Sequence, residues 1–308
     1  MLTRPLLRTK IAQVLYANFQ SNNDLQYFDN ELNFSLKKSY DLYHFLLLLP
    51  NEITFIAEKE VIVLTNKLLK TEQNISSIQN LAENSFSKLL AKNVNLIRYT
   101  RDNSIYWSDY EDEILEIYER LKLQDFFKKY TDNASDFDVQ KTFWRKFFRS
   151  NAIFNEQFED FLENLNIYWN DDLQVTLDFI DKTLALLKKE NCIKAPLLPM
   201  YKDESDREFV IKLAHTAFLN SDKYNELLKN NIKNWNINRI NPMDIVLIKM
   251  ALAEIESFPF ITINITLNEY IEIAKFYSTP DSSTFINGVV HNIAQKWLDE
   301  GKLQKVNA

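Results

Sequence analysis

The sequence predicts an all-α fold, and three observations support that class. The 308 residues include only two glycines and seven prolines, and 46% of them are hydrophobic. Apolar residues also recur at helical spacing along most of the chain. All-β folds and nucleotide-binding α/β folds need glycines at turns and phosphate loops. Because this chain has almost none, we expect helical bundles, arranged as two domains or one extended domain.

The first helix is predicted at the N-terminus, in the stretch TRPLLRTKIAQVLYANFQ. Thr3 is a candidate cap, and Pro5 falls in the first turn, where proline is tolerated. Further helical patterns cover about residues 31–49, 51–72, 76–98, 109–130, 137–150, 155–168 and 171–190. The stretch KAPLLPM at 194–200 has two prolines and no helical period, which predicts a linker.

Five more helices are predicted after the linker, at 206–220, 221–235, 241–257, 266–277 and 279–301. Their expected start and stop signals are Asn241 before Pro242, Thr266 with Glu269 at capping-box spacing, Thr279 before Pro280, and Gly301 at the end. The β-branched stretch FITINIT at 260–266 is predicted to be an extended connector.

One internal similarity links two parts of the chain. The stretch beginning at Phe143 aligns without gaps on the stretch beginning at Phe209, which lies 66 residues later. Either a duplicated helix pair or chance agreement between two amphipathic hairpins would explain this similarity.

Charge, cysteine content and hydropathy exclude several functional classes. Forty-three acids against 36 bases give a net charge of −7, which argues against a bulk electrostatic grip on nucleic acid but allows a local basic patch. Cys192 is alone, so neither a disulfide framework nor a cysteine zinc site is expected. The longest apolar run, FLLLL at 45–49, is too short to span a membrane, and the N-terminus has no signal-peptide pattern. We therefore expect a cytoplasmic protein.

Three segments together resemble the NusB family of helical antitermination factors. The first is RTKIAQVLYANFQ, with Gln13, Leu15 and Tyr16. The second is DIVLIKMALAEIESFPFITINITLNEYIEIAKFY, in which an apolar helix ending in an acid is followed by Asn-Glu and Ala-Lys. The third is SSTFINGVVHNIA, similar to the family's Ser-x-x-Phe-Val-Asn-Gly-Val-Leu signature.

The resemblance implies a fold and a function for part of the chain. We expect residues 1–20 to supply the first helix of a NusB-like core, residues 21–200 to form a helical insertion or an extended N-terminal subdomain, and residues 201–308 to form the C-terminal NusB-like helical domain. The expected function is non-catalytic and needs no cofactor. The protein would bind boxA-type single-stranded RNA of ribosomal RNA leaders together with the ribosomal protein NusE, within the RNA polymerase antitermination complex.

The resemblance also implies the site residues. Arg4, Arg8 and Lys10 form a local cationic spot; on charge alone this is a solvated helix start, but the family's matching helix holds RNA. Phe285 lies off the core stripe of the last helix, and exposed aromatic rings beside Asn and Asp stack on and read unpaired bases. The expected RNA-binding residues are Arg4, Arg8, Lys10, Tyr16, Lys249, Tyr277, Asp281, Ser282, Phe285 and Asn287. The expected partner-binding residues are Gln13, Tyr16, Asp244 and Glu254.

Gly288 needs an explanation, because a glycine inside a helix costs about 1 kcal/mol relative to alanine. Either a close backbone contact or a surface that a partner must reach would offset that cost. We expect close helix packing behind the RNA-contacting edge.

Two other functional classes are alternatives to this prediction. A ribosomal RNA cytosine methyltransferase can carry a NusB-like domain but needs a glycine-rich cofactor domain after it, whereas this chain ends at Ala308. A protein-interaction scaffold that has lost RNA binding is the second alternative, and the sparse arginines of the first helix favour it. His44, His215 and His291 have no metal-ligand spacing, so no metal or catalytic site is expected.

Overall fold

The computed structural model describes residues 2–21, 23–66, 72–131, 134–232 and 240–303. The predicted all-α class is confirmed: the described residues form fifteen α-helices and one 3₁₀ turn, and their one β-type pairing is an isolated bridge between Leu2 and Tyr201. The chain divides into two compact units. The middle unit is Lys37–Pro199, and the terminal unit is Leu2–Leu36 with Met200–Ala308. The three-part division of the chain given above stays a prediction.

The helices of the terminal unit are α1, the first part of α2, and α11 to α15. Their bounds are α1 Arg4–Ser21, α2 Leu25–Asn66, α11 Glu204–Leu219, α12 Ser221–Asn231, α13 Pro242–Ser257, α14 Ile263–Tyr277 and α15 Ser282–Asp299. Helix α13 is central, since thirteen of its sixteen residues are buried and it packs against α1, α11, α12, α14 and α15. A helix that is apolar on all sides is expected at such a position.

The middle unit contains the rest of α2 and nine shorter elements. Their bounds are α3 Glu72–Ala82, α4 Ser85–Ala91, α5 Val94–Asp102, α6 Glu111–Lys122, α7 Asp125–Lys128, α8 Phe137–Phe147, α9 Glu156–Leu165, the 3₁₀ turn Ile167–Trp169 and α10 Leu173–Leu186. Its core is rich in aromatic rings. Phe45 and Trp107, for example, stack with their centroids 3.9 Å apart.

Helix α2 differs from the prediction of two helices separated at Pro50. The structure has one helix of 42 residues that passes through this proline. An interior proline costs about 3 kcal/mol, but the buried stripe of Leu46, Leu49, Ile53 and Ala57 continues across it. Packing of that stripe therefore outweighs the local cost.

The predicted helix at 76–98 was wrong in the opposite sense, because the structure has three helices there. Asn84 and Asn93 are the N-caps of α4 and α5, and each accepts hydrogen bonds from backbone N–H groups of the helix that follows. Asn93 also donates from Nδ2 to the carbonyl oxygens of Cys192 and Ala195 at 2.7 and 3.0 Å. These asparagines stop one helix and start the next.

Two predicted helix starts near the C-terminus were also wrong. Thr262, not Thr266, caps α14 by accepting from the N–H of Ile265, so only the first residues of FITINIT form the connector. Helix α15 begins at Ser282, three residues after the predicted cap Thr279. Asn241 does cap α13, and Gly301 ends α15 at a φ of +67°. None of the described helices is long and apolar enough to cross a membrane.

The structure gives helix pairs at both ends of the internal similarity. Helices α8 and α9 cover one copy and α11 and α12 the other, and Phe143, Phe209, Phe158 and Tyr224 are all buried. Trp235, the partner of Trp169 in this alignment, lies outside the described residues. Whether the pairs arose by duplication stays a prediction.

Candidate nucleic-acid interface

Arg8 of α1 lies in a buried ion cluster with two acids of the C-terminal helices. Its Nε and Nη2 donate to the two carboxylate oxygens of Glu254 at 2.7 and 2.9 Å, and Nη1 donates to Glu269 at 2.9 Å. Glu254 has no exposed surface, and Arg8 is 3% exposed. Burial alone would lower the pKa of Arg8, but the hydrogen bonds and charge of Glu254 outweigh it and raise that pKa.

Three further side chains complete this cluster. Thr266 and Tyr270 of α14 donate to the Glu254 carboxylate at 2.9 and 3.2 Å, and the Phe209 ring lies 5.0 Å from the Arg8 guanidinium carbon. The spacing of Thr266 and Glu269 predicts a capping box, so the sequence points to these residues but not to their role in the cluster. The cluster joins α1 to α13 and α14.

The burial of Arg8 and Glu254 changes the expected roles of both. An RNA phosphate needs an exposed cation, and Arg8 has all three of its guanidinium nitrogens bonded to carboxylates. Glu254 likewise has no surface for a protein partner. In this structure both residues support the fold, because an arginine and a glutamate that pair fully with each other can be buried together.

The two predicted RNA-binding lysines are also buried. Lys10 is 1% exposed and Lys249 is 4% exposed. The Lys249 ammonium donates to Ser221 Oγ at 2.8 Å and lies 4.8 Å from the centroid of the Phe19 ring. Burial lowers the pKa of Lys249 to about 8, and the nearby charge of Asp222 opposes that shift. Neither lysine presents its charge to solvent as a phosphate contact would require.

Asp244 and Ser282 meet in a buried cluster at the turn between α14 and α15. The Asp244 carboxylate accepts from Ser278 Oγ at 2.5 Å and from Ser282 Oγ at 2.8 Å. Ser282 also accepts from the backbone N–H of Thr279 at 3.2 Å. Both predicted contact residues are therefore buried, and they hold the start of α15 on α13.

The remaining predicted residues lie at the surface of the terminal unit. Gln13 Nε2 of α1 donates to Tyr277 Oη at the end of α14, at 3.3 Å. Tyr16, Tyr277 and Phe285 are half-buried, whereas Asp281 and Asn287 are exposed. We call Gln13, Tyr16, Tyr277, Asp281 and Phe285 the polar–aromatic edge. Asn287 is two positions from Phe285 on α15 and therefore lies on a different face of that helix. The Gln13–Tyr277 hydrogen bond connects the two parts of the edge, although the two residues are 264 positions apart.

Arg4 is the one predicted cation of α1 with substantial exposure. Its side chain is 40% exposed, and Nε donates to Asp206 at 2.9 Å. The guanidinium also lies over the Phe209 ring, 4.9 Å from the centroid. Part of the Arg4 side chain is therefore exposed to solvent, but the Asp206 carboxylate partly neutralises its charge.

Gly288 does not have the close packing expected for it. A Cβ atom built at this residue would meet nothing within 4 Å, so that prediction was wrong. Gly288 follows Asp281 and Phe285 at spacings of seven and three residues, which places all three on one face of α15. The glycine extends that face as bare backbone.

Comparisons with known proteins show the family of the chain. The model described as the NusB family matches residues 177–295. A transcription antitermination protein NusB from Salinibacter ruber is 36% identical over 108 residues, which are 35% of this chain and 68% of the relative. The corresponding protein of Listeria innocua is 38% identical over 93 residues, covering 30% of this chain and 72% of the relative. The chain belongs to the NusB family. No solved structure matches it.

The NusB match contains only part of the candidate interface. It includes the C-terminal part of the polar–aromatic edge and both Asp244 and Glu254, but residues 4–16 of α1 precede it. The hydrogen bonds from Arg8 and Gln13 attach α1 to the matched region. The first sequence motif and the last two therefore lie in one compact unit of the structure.

Proposed function

We propose that this protein is a non-catalytic transcription antitermination factor that binds boxA-type RNA together with NusE. The observation that carries the proposal is the hydrogen bond between Gln13 and Tyr277, which joins α1 to the α14–α15 turn at the surface. Membership of the NusB family and relatives named transcription antitermination proteins support it.

The polar–aromatic edge has the chemistry of a reader of single-stranded RNA. The half-buried rings of Tyr277 and Phe285 are fixed by the helices and keep a surface for stacking on unpaired bases. The exposed Asp281 supplies a carboxylate for hydrogen bonds to base edges. Gly288 leaves the backbone of α15 open to close approach on the same side.

Electrostatic attraction contributes little to this binding mode. Arg8, Lys10 and Lys249 are buried, Arg4 is paired with Asp206, and the net charge is −7. Phosphate contacts normally supply much of the affinity for nucleic acids. We therefore expect weak binding of RNA alone and tighter binding when NusE contributes its own contacts, with Gln13 and Tyr16 on the side of α1 that meets it.

The same burial favours the second candidate, a protein-interaction scaffold without RNA binding. In that case Gln13, Tyr16 and the α14–α15 edge would contact protein only. The two candidate functions differ in the role of Phe285. An RNA-binding factor needs this ring for stacking on a base, whereas a protein-interaction scaffold does not.

A fluorescence anisotropy titration with a boxA-like RNA, with and without NusE, tests the proposal. We expect Phe285→Ala to weaken RNA binding about tenfold, since stacking on an aromatic side chain contributes about 1–3 kcal/mol per base. The matched control is Phe260→Ala: Phe260 is 84% exposed and lies in the connector between α13 and α14. If the wild-type protein does not bind the RNA even in the presence of NusE, the result supports the protein-interaction scaffold instead.

A further inference from the structure

A groove in the middle unit lies between α2 and α6 and has no role in the proposed function. Its volume is about 430 Å³. Two buried aromatic residues form its floor and are fixed by hydrogen bonds. Trp107 donates to the carbonyl oxygen of Phe45 at 2.7 Å, and Tyr118 donates to Glu60 at 2.5 Å.

Apolar side chains on both walls of this groove face solvent. Phe55 and Val63 of α2 are 50% and 48% exposed, and Leu115 of α6 is 48% exposed. All three line the same groove. Single exposed apolar side chains are ordinary, but several that converge on one concavity are typical of a binding surface.

The rim of the groove is acidic. Five of its fourteen lining residues are carboxylates, whereas Lys59 is the one cation among them. The acidic residues are Glu52, Glu60, Glu111, Asp112 and Glu119. The Lys59 ammonium lies 4.5 Å from the Phe55 ring centroid, and Lys122 pairs with Glu60 and Glu119 at 3.4 and 2.7 Å. Glu111 and Asp112 stay exposed in the first turn of α6.

We propose that this groove is a docking site for a basic amphipathic helix of a protein partner. The exposed Phe55, Val63 and Leu115 supply apolar contacts, and the surrounding carboxylates supply attraction for lysine and arginine. Because Glu52 and Val63 are eleven residues apart on α2 at about 1.5 Å per residue, the groove is about 16 Å long and takes about three helical turns.

Charge decides against two other occupants. RNA carries a negative charge on every phosphate, and the carboxylates of the rim would repel it. A second copy of this chain in a two-fold dimer would place the same acidic rim opposite itself, and like charges across an interface are unfavourable. A cationic helix meets the apolar walls and the acidic rim at the same time.

The test uses the full chain and a designed peptide of about 18 residues, which makes about five helical turns. The peptide has leucines at helical spacing on one face and lysines elsewhere, and it carries a fluorophore for anisotropy titration. Two matched peptides serve as controls: one has glutamate in place of lysine, and the other has glutamine in place of leucine. We expect each control peptide to bind at least tenfold more weakly.

Two pairs of variants locate the binding. Leu115→Lys and Val63→Lys place a cation in the groove. We expect each variant to bind the leucine–lysine peptide at least tenfold more weakly than the wild type does. Leu123→Lys and Ile62→Lys make the same change at residues that are 71% and 62% exposed but do not line the groove, and we expect less than twofold effects. Circular dichroism checks that all four variants fold.

Three results would overturn the proposal. Equal effects of the groove and control variants would show that the peptide binds elsewhere. Equal binding of the glutamate peptide would remove the role of the acidic rim. Self-association of the wild-type chain that Leu115→Lys abolishes would make a second copy the occupant.

Discussion

The terminal unit and the middle unit differ in the ionisable groups that they bury. All three buried cations of the described residues, Arg8, Lys10 and Lys249, belong to the terminal unit. In the described part of the middle unit the buried ionisable side chains include Asp41 and His44, and the largest buried side chains are aromatic. There Arg145 and Arg149 pair with Asp181 while keeping 33% and 65% of their side chains exposed.

The two units are therefore stabilised in different ways. A buried cation is stable only if specific partners satisfy it, as Glu254 and Glu269 satisfy Arg8. Those partners fix residue types at several separated positions of the sequence. A core of aromatic and aliphatic side chains tolerates many substitutions that keep its volume, so its stability depends less on any one pair of residues.

The largest expected effect comes from breaking the buried cluster of the terminal unit. Arg8→Ala leaves the Glu254 carboxylate buried without its cation, and we expect the free energy of unfolding to fall by about 3–5 kcal/mol. The corresponding change in the middle unit, Arg145→Ala, leaves Asp181 bonded to Arg149, and we expect a loss of about 1 kcal/mol or less. Urea unfolding followed by circular dichroism measures both.

Similar losses for the two arginine variants would contradict the distinction between the units. Arg8→Ala protein that keeps its stability but loses RNA affinity would restore Arg8 as a phosphate contact. That outcome would require an open form of α1 in which Glu254 is satisfied by other groups.

A second prediction concerns pH and the middle unit, where His44 is 1% exposed. Its ring stacks on Tyr99 at 3.8 Å, and burial lowers the pKa of His44 from 6.5 to about 4. Between these values the unfolded chain binds a proton that the folded chain does not. The free energy of unfolding is therefore unaffected by His44 protonation above pH 6.5, and it decreases as the pH falls from 6.5 toward 4.

The comparison of wild type with His44→Phe isolates this effect, since phenylalanine keeps a ring against Tyr99 and does not titrate. At about 1.4 kcal/mol per pKa unit, the wild type loses up to about 3 kcal/mol more than the variant between pH 7 and pH 4. Urea midpoints at several pH values measure the difference. His215→Gln, at a partly exposed histidine of the terminal unit, is the control. Parallel pH profiles of wild type and His44→Phe would exclude the effect.

Helical periodicity and caps were sufficient to predict the fold class and several helix ends. Asn241 and Gly301 act as predicted because capping depends on residues that are adjacent in sequence. Pro50 did not end a helix, because burial of the α2 stripe involves distant residues that a local pattern does not contain. Asn84 and Asn93 end helices although their neighbours continue an apolar period.

The candidate site was predictable only in part, for a related reason. Arg8 looks like any exposed arginine at a helix start, and its partner Glu254 lies 246 residues away. Sequence chemistry showed that these residues are charged but not that they neutralise each other. Tyr277, Asp281 and Phe285 were proposed from a motif, and their binding role stays a prediction.

The smallest expected effect tests the explanation left for Gly288, a surface that a partner must reach. Because no atom lies within 4 Å of its would-be Cβ, Gly288→Ala adds helix propensity without a clash and should stabilise the terminal unit by about 0.5–1 kcal/mol. Gly301→Ala is the contrasting control, since the φ of +67° makes a side chain unfavourable there. If Gly288 also keeps the face of Phe285 open to a ligand, Gly288→Ala will gain stability and lose affinity for RNA in the same preparation. A gain in stability with unchanged affinity would remove Gly288 from the interface, and a loss of stability would show that the bare backbone is needed by the fold itself.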